Sequence, residues 1–269
     1  MEPVRITRGS SPIILGIPHT GTFIPEDILA NLNETGRAIA DTDWHIDRLY
    51  ADLLDNVTLV EATYSRYVID ANRDPEGVSL YPGQNTTTLC PLTDFDGRPI
   101  YLEGREPATA EIEARRKEFH APYHSALRQE IERVKAIHGI AVLYDCHSIR
   151  SKIPYLFEGE LPIFNVGTNL GATCDVVFEN LASTAIQSNA EFPSVMNGRF
   201  KGGWTTRHYG RPEHAEHAIQ MEIAQRAYMT ESPPWSWSED RATKIRPILK
   251  SLLQNMERAA LKLAAENEK

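Results

Sequence analysis

The chain has 269 residues, 41% hydrophobic and 24% charged, with a formal net charge of -9. That length buries a full core without covalent staples, and the acidic balance argues against nucleic acid or an anionic membrane as the main partner. The three cysteines, Cys90, Cys146 and Cys174, are scattered with no C-x-x-C pair, so neither a disulfide frame nor a cysteine zinc knuckle is expected.

Reduced thiols suit a cytoplasmic setting. The opening "MEPVRITRGS" leads into only a short apolar run and lacks the shape of a signal peptide. No apolar segment approaches the ~20 residues that cross a bilayer. Ile13–Ile17, between Pro12 and Pro18, reads as a short buried strand. "TDWHIDRLYADLLD" reads as a helix capped by Asp41 or Thr42, with Ile46, Leu49, Leu53 and Leu54 as its stripe. Residues 57–62 and 66–70 read as two β-rich pieces, and 75–107 as a long Gly/Pro-rich excursion of the kind that closes over a site.

From 108 to 137 the apolar spacing is helical, and Pro122 should kink or divide the helix. Residues 140–144 and "LPIFNVGT" read as strands, "CDVVFENLASTAIQSN" as a helix, and "GRFKGGWTTRHYG" as a Gly-rich strand and turn. In "HAIQMEIAQRAYM", Ile219, Met221 and Ile223 alternate with Gln220 and Glu222, as in a strand. A long amphipathic helix with a charged tail follows from Ser238. Strands alternating with helices, without a linker-like break, predict a single α/β domain over 1–269.

Ligands of such sheets gather beyond the carboxyl ends of the strands. His19 and His147 each follow an apolar strand there, where neutral imidazole can serve a catalytic zinc that keeps one position open. Asp41, Asp43 and Asp47 crowd the next segment. Acidic residues favour a helix N-terminus, and one of them could instead supply an oxygen ligand. Glu222, in an alternating apolar strand, should be buried with a raised pKa, which suits a general base. Arg66, Arg73, Arg207 and Arg211 lie in the same set of loops and suggest an anionic small molecule. His208 is a candidate for substrate contact. His120 and His124 are four apart, but "HAPYH" lacks the Glu that a helical zinc motif needs, so they read as edge-of-core residues. Cys146 and His147 should point to opposite faces of a strand, which disfavours a thiolate–imidazole pair.

"IPHTG", "DTDWHIDRLY", "SRYVIDANRD", "DCHSIRS", "GTNLG", "WTTRHYGRP" and "AIQMEIAQRAYM", in that order, resemble the N-formylglutamate amidohydrolase family. The resemblance implies a phosphorylase/hydrolase-like, three-layer α/β/α fold around a mixed sheet, like that of zinc carboxypeptidases and aspartoacylases. It implies Zn2+, or another divalent ion, on His19 and His147. The acidic ligand that carboxypeptidases carry three residues after the first His falls here on Thr22, so the resemblance leaves that ligand to Asp43, with Asp47 second. Asn72 and Arg73 resemble a pair that grips a substrate carboxylate, and Glu222 resembles the general acid/base. Arg66, Arg207 and His208 complete the expected substrate contacts.

The implied reaction is hydrolysis of N-formyl-L-glutamate in histidine degradation, with a small anionic N-acyl amino acid as the partner. The same groups would serve another N-acyl amino acid or a small peptide. A non-catalytic protein that binds an acidic amino acid would need neither metal nor Glu222.

Overall fold

This computed structural model describes residues 1–80, 83 and 85–267. Among the described residues seven strands form one mixed sheet: β1 (Val4–Thr7), β2 (Ile13–Ile17), β3 (Thr58–Ala62), β4 (Ala141–Ile149), β5 (Phe164–Gly167), β6 (Ser194–Met196) and β7 (Glu216–Ala224). Their order is β1-β3-β2-β4-β7-β5-β6. β3, β2, β4 and β7 run parallel to one another, β1 pairs antiparallel with β3, β5 pairs antiparallel with β7, and β6 runs parallel to β5. β2 is apolar throughout because it is buried on both faces between two parallel partners.

The helices are α1 (Glu26–Leu29), α2 (Glu34–Arg37), α3 (Ile46–Tyr50), α4 (Thr109–Arg115), α5 (Ala121–His138), α6 (Val176–Gln187), α7 (Trp204–Tyr209) and α8 (Glu239–Asn267). On one face of the sheet α3, α6 and α8 pack on Ile13, Leu15, Val142, Tyr144, Cys146, Ile219, Met221 and Ile223. The stripe of α8 (Ala242, Ile245, Leu249, Leu252, Met256 and Ala260) recurs every three or four residues, the spacing that keeps one helix face on the sheet. On the other face α5 packs Tyr123, Leu127, Ile131 and Val134 against Ile14, Val60 and Leu143.

Several elements differ from the sequence reading. The helix expected over 42–55 is reduced to α3, because His45 adopts a left-handed conformation just before it. Asp41 caps nothing: it accepts from the Tyr67 hydroxyl at 2.7 Å and from Phe95 N at 2.8 Å. Residues 66–68 form a turn, and 69–70 lie in no strand. The strand expected over 140–144 continues to Ile149, so His147 lies inside β4 and not beyond it. Residues 204–209 are helical, and the polar opening segment supplies the edge strand β1. Pro122 does not break the helix, since a π-helical turn, Arg116–His120, joins α4 to α5 ahead of it. The excursion over 75–107 lacks a helix or named strand among its described residues; Tyr81, Pro82 and Gln84 lie outside them.

Candidate active site

The register of the two central parallel strands sets His147 beside Glu222 and Asp145 beside Gln220. Side chains alternate along a strand. Cys146 and Met221 therefore enter the α8-side core, while Asp145, His147, Gln220 and Glu222 share the opposite face at its carboxyl end. His19 follows β2 by two residues, and Asp43 N donates to His19 O at 3.0 Å, which ties the two loops together.

His19, Asp43 and His147 are all buried, and one ligand atom from each lies within 4.8 Å of the others. Asp43 Oδ2 is 3.3 Å from His147 Nδ1 and 3.7 Å from His19 Nδ1. The remote nitrogen of each ring has its own carboxylate: His19 Nε2 is 2.8 Å from Asp70 Oδ1, and His147 Nε2 is 3.1 Å from Asp145 Oδ2. A carboxylate beside Nε2 of each imidazole orients the ring so that Nδ1 faces Asp43, the arrangement in which carboxylates hold ligand rings in metal centres. Asp47, the second choice of acidic ligand, lies exposed on α3 and outside this cluster.

The donor set fits a divalent cation. Asp43 Oδ1 is buried without a hydrogen-bond partner. Four buried carboxylates (Asp43, Asp70, Asp145 and Glu222) gather here against buried Arg66 and part-exposed Arg73, which lies 3.6 Å from Asp70 Oδ2. Burial would lower the His147 pKa, yet Asp145 and Asp43 hold it well above the ordinary imidazole range. Burial also works against the Asp43 charge, but hydrogen bonds with His147 and His19 and the charge of Arg66 hold its pKa below the ordinary carboxylate range. Both shifts express a demand for positive charge where the three side chains meet. Burial lifts Glu222 to about 8.

Above the cluster lies a cavity of about 170 Å³. His19, His147, Glu222, Arg66, Asn72 and Arg73 line it, together with described parts of the 75–107 excursion. Arg66 contacts His19 Nδ1 and lies 3.8 Å from Asp43 Oδ1. Asn72 Nδ2 is 3.1 Å from His147 Nε2, and Asn72 Oδ1 accepts from Thr205 N at 2.9 Å. Gly203 permits this approach, because a Cβ there would meet Asn72 Nδ2 at 2.3 Å. Arg207 and His208 do not line the cavity: Arg207 Nε donates to Gly202 O at 2.9 Å, and His208 is exposed and stacked on Trp204.

His120 and His124 are indeed buried, and they hold the backbone on either side of Asn72. His120 Nε2 bonds Arg73 O at 3.0 Å and His124 Nε2 bonds Ala71 O at 2.8 Å. The Tyr209 hydroxyl lies 3.0 Å from His124 Nδ1, which suits the neutral ring that burial favours. Sequence reading also passed over Asp70, Asp145 and Arg199. Asp145 had a signal, standing two residues before His147 and so on the same strand face. Asp70 and Arg199 had none, since each is brought in by a turn or loop.

A mixed sheet whose central strands end in a buried His–Asp–His group defines an α/β protein with a candidate metal centre. The chain belongs to the N-formylglutamate amidohydrolase family, which it matches over residues 11–229. It is 44% identical over 257 residues to an N-formylglutamate deformylase of Pseudomonas aeruginosa, covering 95% of this chain and 96% of that protein. An N-formylglutamate deformylase of Pseudomonas putida is 43% identical over 248 residues, covering 92% of each. The crystal structure of N-formylglutamate amidohydrolase from Ralstonia eutropha superposes with a TM-score of 0.77 at 25% identity, covering 99% of this chain and 98% of that one. A gene product of Agrobacterium tumefaciens shares the fold, with a TM-score of 0.71 at 18% identity over 100% and 97% of the two chains.

Proposed function

We propose that the chain hydrolyses N-formyl-L-glutamate to formate and L-glutamate, with zinc held by His19, Asp43 and His147. The observation that carries this reading is Glu222, a buried carboxylate set in register beside His147 and facing the same cavity. A divalent ion of the zinc type supplies Lewis-acid polarisation and lowers the pKa of water toward ~7.

The chain's own groups do the rest. Asn72 and Arg73 grip a carboxylate of the substrate and so aim its formyl group at the cluster. Glu222 takes a proton from the attacking water as the C–O bond forms. Burial lifts the Glu222 pKa to about 8 while the charges of His147 and Arg66 pull it down, which leaves it near the range in which one group can both accept and return a proton. The Arg66 guanidinium, buried beside Asp43, faces the charge that develops on the carbonyl oxygen. Glu222 then gives its proton to the departing nitrogen as the C–N bond breaks. Neither Arg207 nor His208 is needed in this scheme.

We assign the reaction to histidine degradation in the cytoplasm; Cys90, Cys146 and Cys174 are all buried free thiols, in keeping with a reducing compartment. Among the described residues no helix is long and apolar enough to cross a membrane.

Two measurements test the reading. Elemental analysis of the purified protein should find one zinc per chain, lost in His19→Ala and in His147→Ala. Formate release should favour N-formyl-L-glutamate over N-acetyl-L-glutamate and N-formyl-L-aspartate. Metal retained by both His variants removes the proposed centre, and a protein that releases no formate from N-formyl-L-glutamate removes the proposed substrate.

A further inference from the structure

Arginines 66, 73 and 199 all line the cavity. Arg66 is committed to the cluster through His19 and Asp43. The other two arrive on chain segments that follow β3 and β6, which lie in opposite halves of the sheet. Arg73 is braced by Thr87, its Nε donating to Thr87 O at 2.9 Å and its second terminal nitrogen to Thr87 Oγ1 at 2.8 Å, while its other terminal nitrogen donates to Asn72 O at 3.0 Å and lies 3.6 Å from Asp70 Oδ2. Arg199 is braced from elsewhere, with Nε donating to Leu156 O at 3.3 Å and the guanidinium carbon 5.6 Å from the Phe200 ring centroid. Apolar side chains, Leu156 and Phe200 among them, line the same cavity. In such surroundings a carboxylate without a cationic partner is costly, and one with a guanidinium partner is held more firmly than in water.

A substrate with two carboxylates therefore needs two cationic partners besides the group at the reacting centre. We infer that Arg199 is the specificity-determining residue for the distal, side-chain carboxylate of the substrate, while Asn72 and Arg73 take the α-carboxylate. This rests on the proposed hydrolysis of an N-acyl dicarboxylic amino acid and assigns its recognition to a residue outside the Asn72–Arg73 pair. It also accounts for an acidic protein accepting a dianion, because three guanidinium groups stand in the cavity wall.

The test compares kcat/KM on N-formyl-L-glutamate with that on N-formyl-L-glutamine, which keeps the shape and removes the distal charge. Arg199→Gln should lower the glutamate-to-glutamine ratio by about 10–100-fold, the range for losing a charged hydrogen-bond partner. Arg73→Gln should lower kcat/KM on both substrates in parallel. Arg199→Lys keeps the charge without the planar fork and should restore part of the ratio. Equal losses on both substrates in Arg199→Gln overturn the inference. Should that variant not fold, an unchanged ratio in Arg199→Lys overturns it. A wild-type protein that releases formate from neither substrate overturns the proposed function instead. In that event thermal-shift titration still reads Arg199: glutarate should stabilise the wild type more than butyrate does, and Arg199→Gln should erase the difference. Equal stabilisation of the wild type by both acids also overturns the inference.

Discussion

Adjacent residues of β4 meet two environments that are stabilised in different ways. Cys146 enters the largely apolar layer under α8, where burial pushes its thiol pKa far up. His147, one residue on, enters a nest of carboxylates. The first environment is held by removal of area from water, about 25 cal/mol per Å², and is indifferent to ions. The second gathers like charges out of water, which costs free energy unless a cation joins them. The difference teaches that the α8 face supplies the stability, and that it supports an opposite face whose charges are arranged for binding and turnover.

The strongest way to sharpen that contrast is to remove chemistry without removing fold. Glu222→Gln should lower kcat by about 10²–10⁴-fold, the usual range for a general acid–base group. It should leave the metal content and the melting temperature close to those of the wild type. A variant that also loses its metal would make Glu222 a ligand rather than a base.

The reverse experiment removes stability without chemistry. Leu249 is fully buried on α8, on the far side of the sheet from the cavity. Leu249→Ala should cost about 2–5 kcal/mol in denaturant unfolding, with kcat and metal content unchanged. Equal damage to turnover would show that the two faces are not separable.

A third test uses pH at the rim of the core. His217 at the start of β7 accepts from Asp175 N at 3.1 Å, at the head of α6, and burial lowers its pKa to about 4. A histidine depressed in the folded state binds its proton more readily when unfolded. Its contribution is therefore complete above the unfolded value near 6.5 and is lost as pH falls from there toward 4. That window spans at most about 3 kcal/mol. His217→Gln should flatten the stability–pH curve between those values; an unchanged slope would remove His217 as its cause.

The positions of the candidate site residues were more legible in the sequence than the elements that carry them. His19, His147 and Glu222 stood out because apolar strands ran up to or through them, and a strand's alternation assigns each side chain a face. The helix expected over 42–55 failed because its apolar spacing says nothing of the left-handed turn at His45 that starts α3 late. That late start leaves Asp43 ahead of the helix and beside His19. Arg207 and His208 looked like loop residues at a strand end, yet 204–209 winds into a helix that directs Thr205 N at Asn72 and leaves His208 outside. Arg199 was invisible, because only the folded loop after β6 brings it into the cavity.

The orienting carboxylates give a smaller effect. Asp145→Asn keeps the shape behind His147 but weakens the hold on its ring. Metal affinity should fall by about 10–100-fold, as when partners behind a ligand are lost. Titration with a competing chelator measures this directly. Full affinity in Asp145→Asn would leave Asp145 a packing residue.

The smallest effect belongs to the imidazoles that never reach the cavity floor. His120 and His124 bond the carbonyls of Arg73 and Ala71 and thereby fix the backbone that presents Asn72. They are positioning residues: they touch neither the proposed ligands nor Glu222, so their loss should act on substrate binding first. His124→Phe fills the space and removes the bond to Ala71 O. It should raise KM about threefold to tenfold, the cost of one modest hydrogen bond, and change kcat less. His124→Gln, which keeps a donor, should recover part of the KM. A purely structural role predicts something else: a lower melting temperature, with the Michaelis constants of the surviving folded protein unchanged.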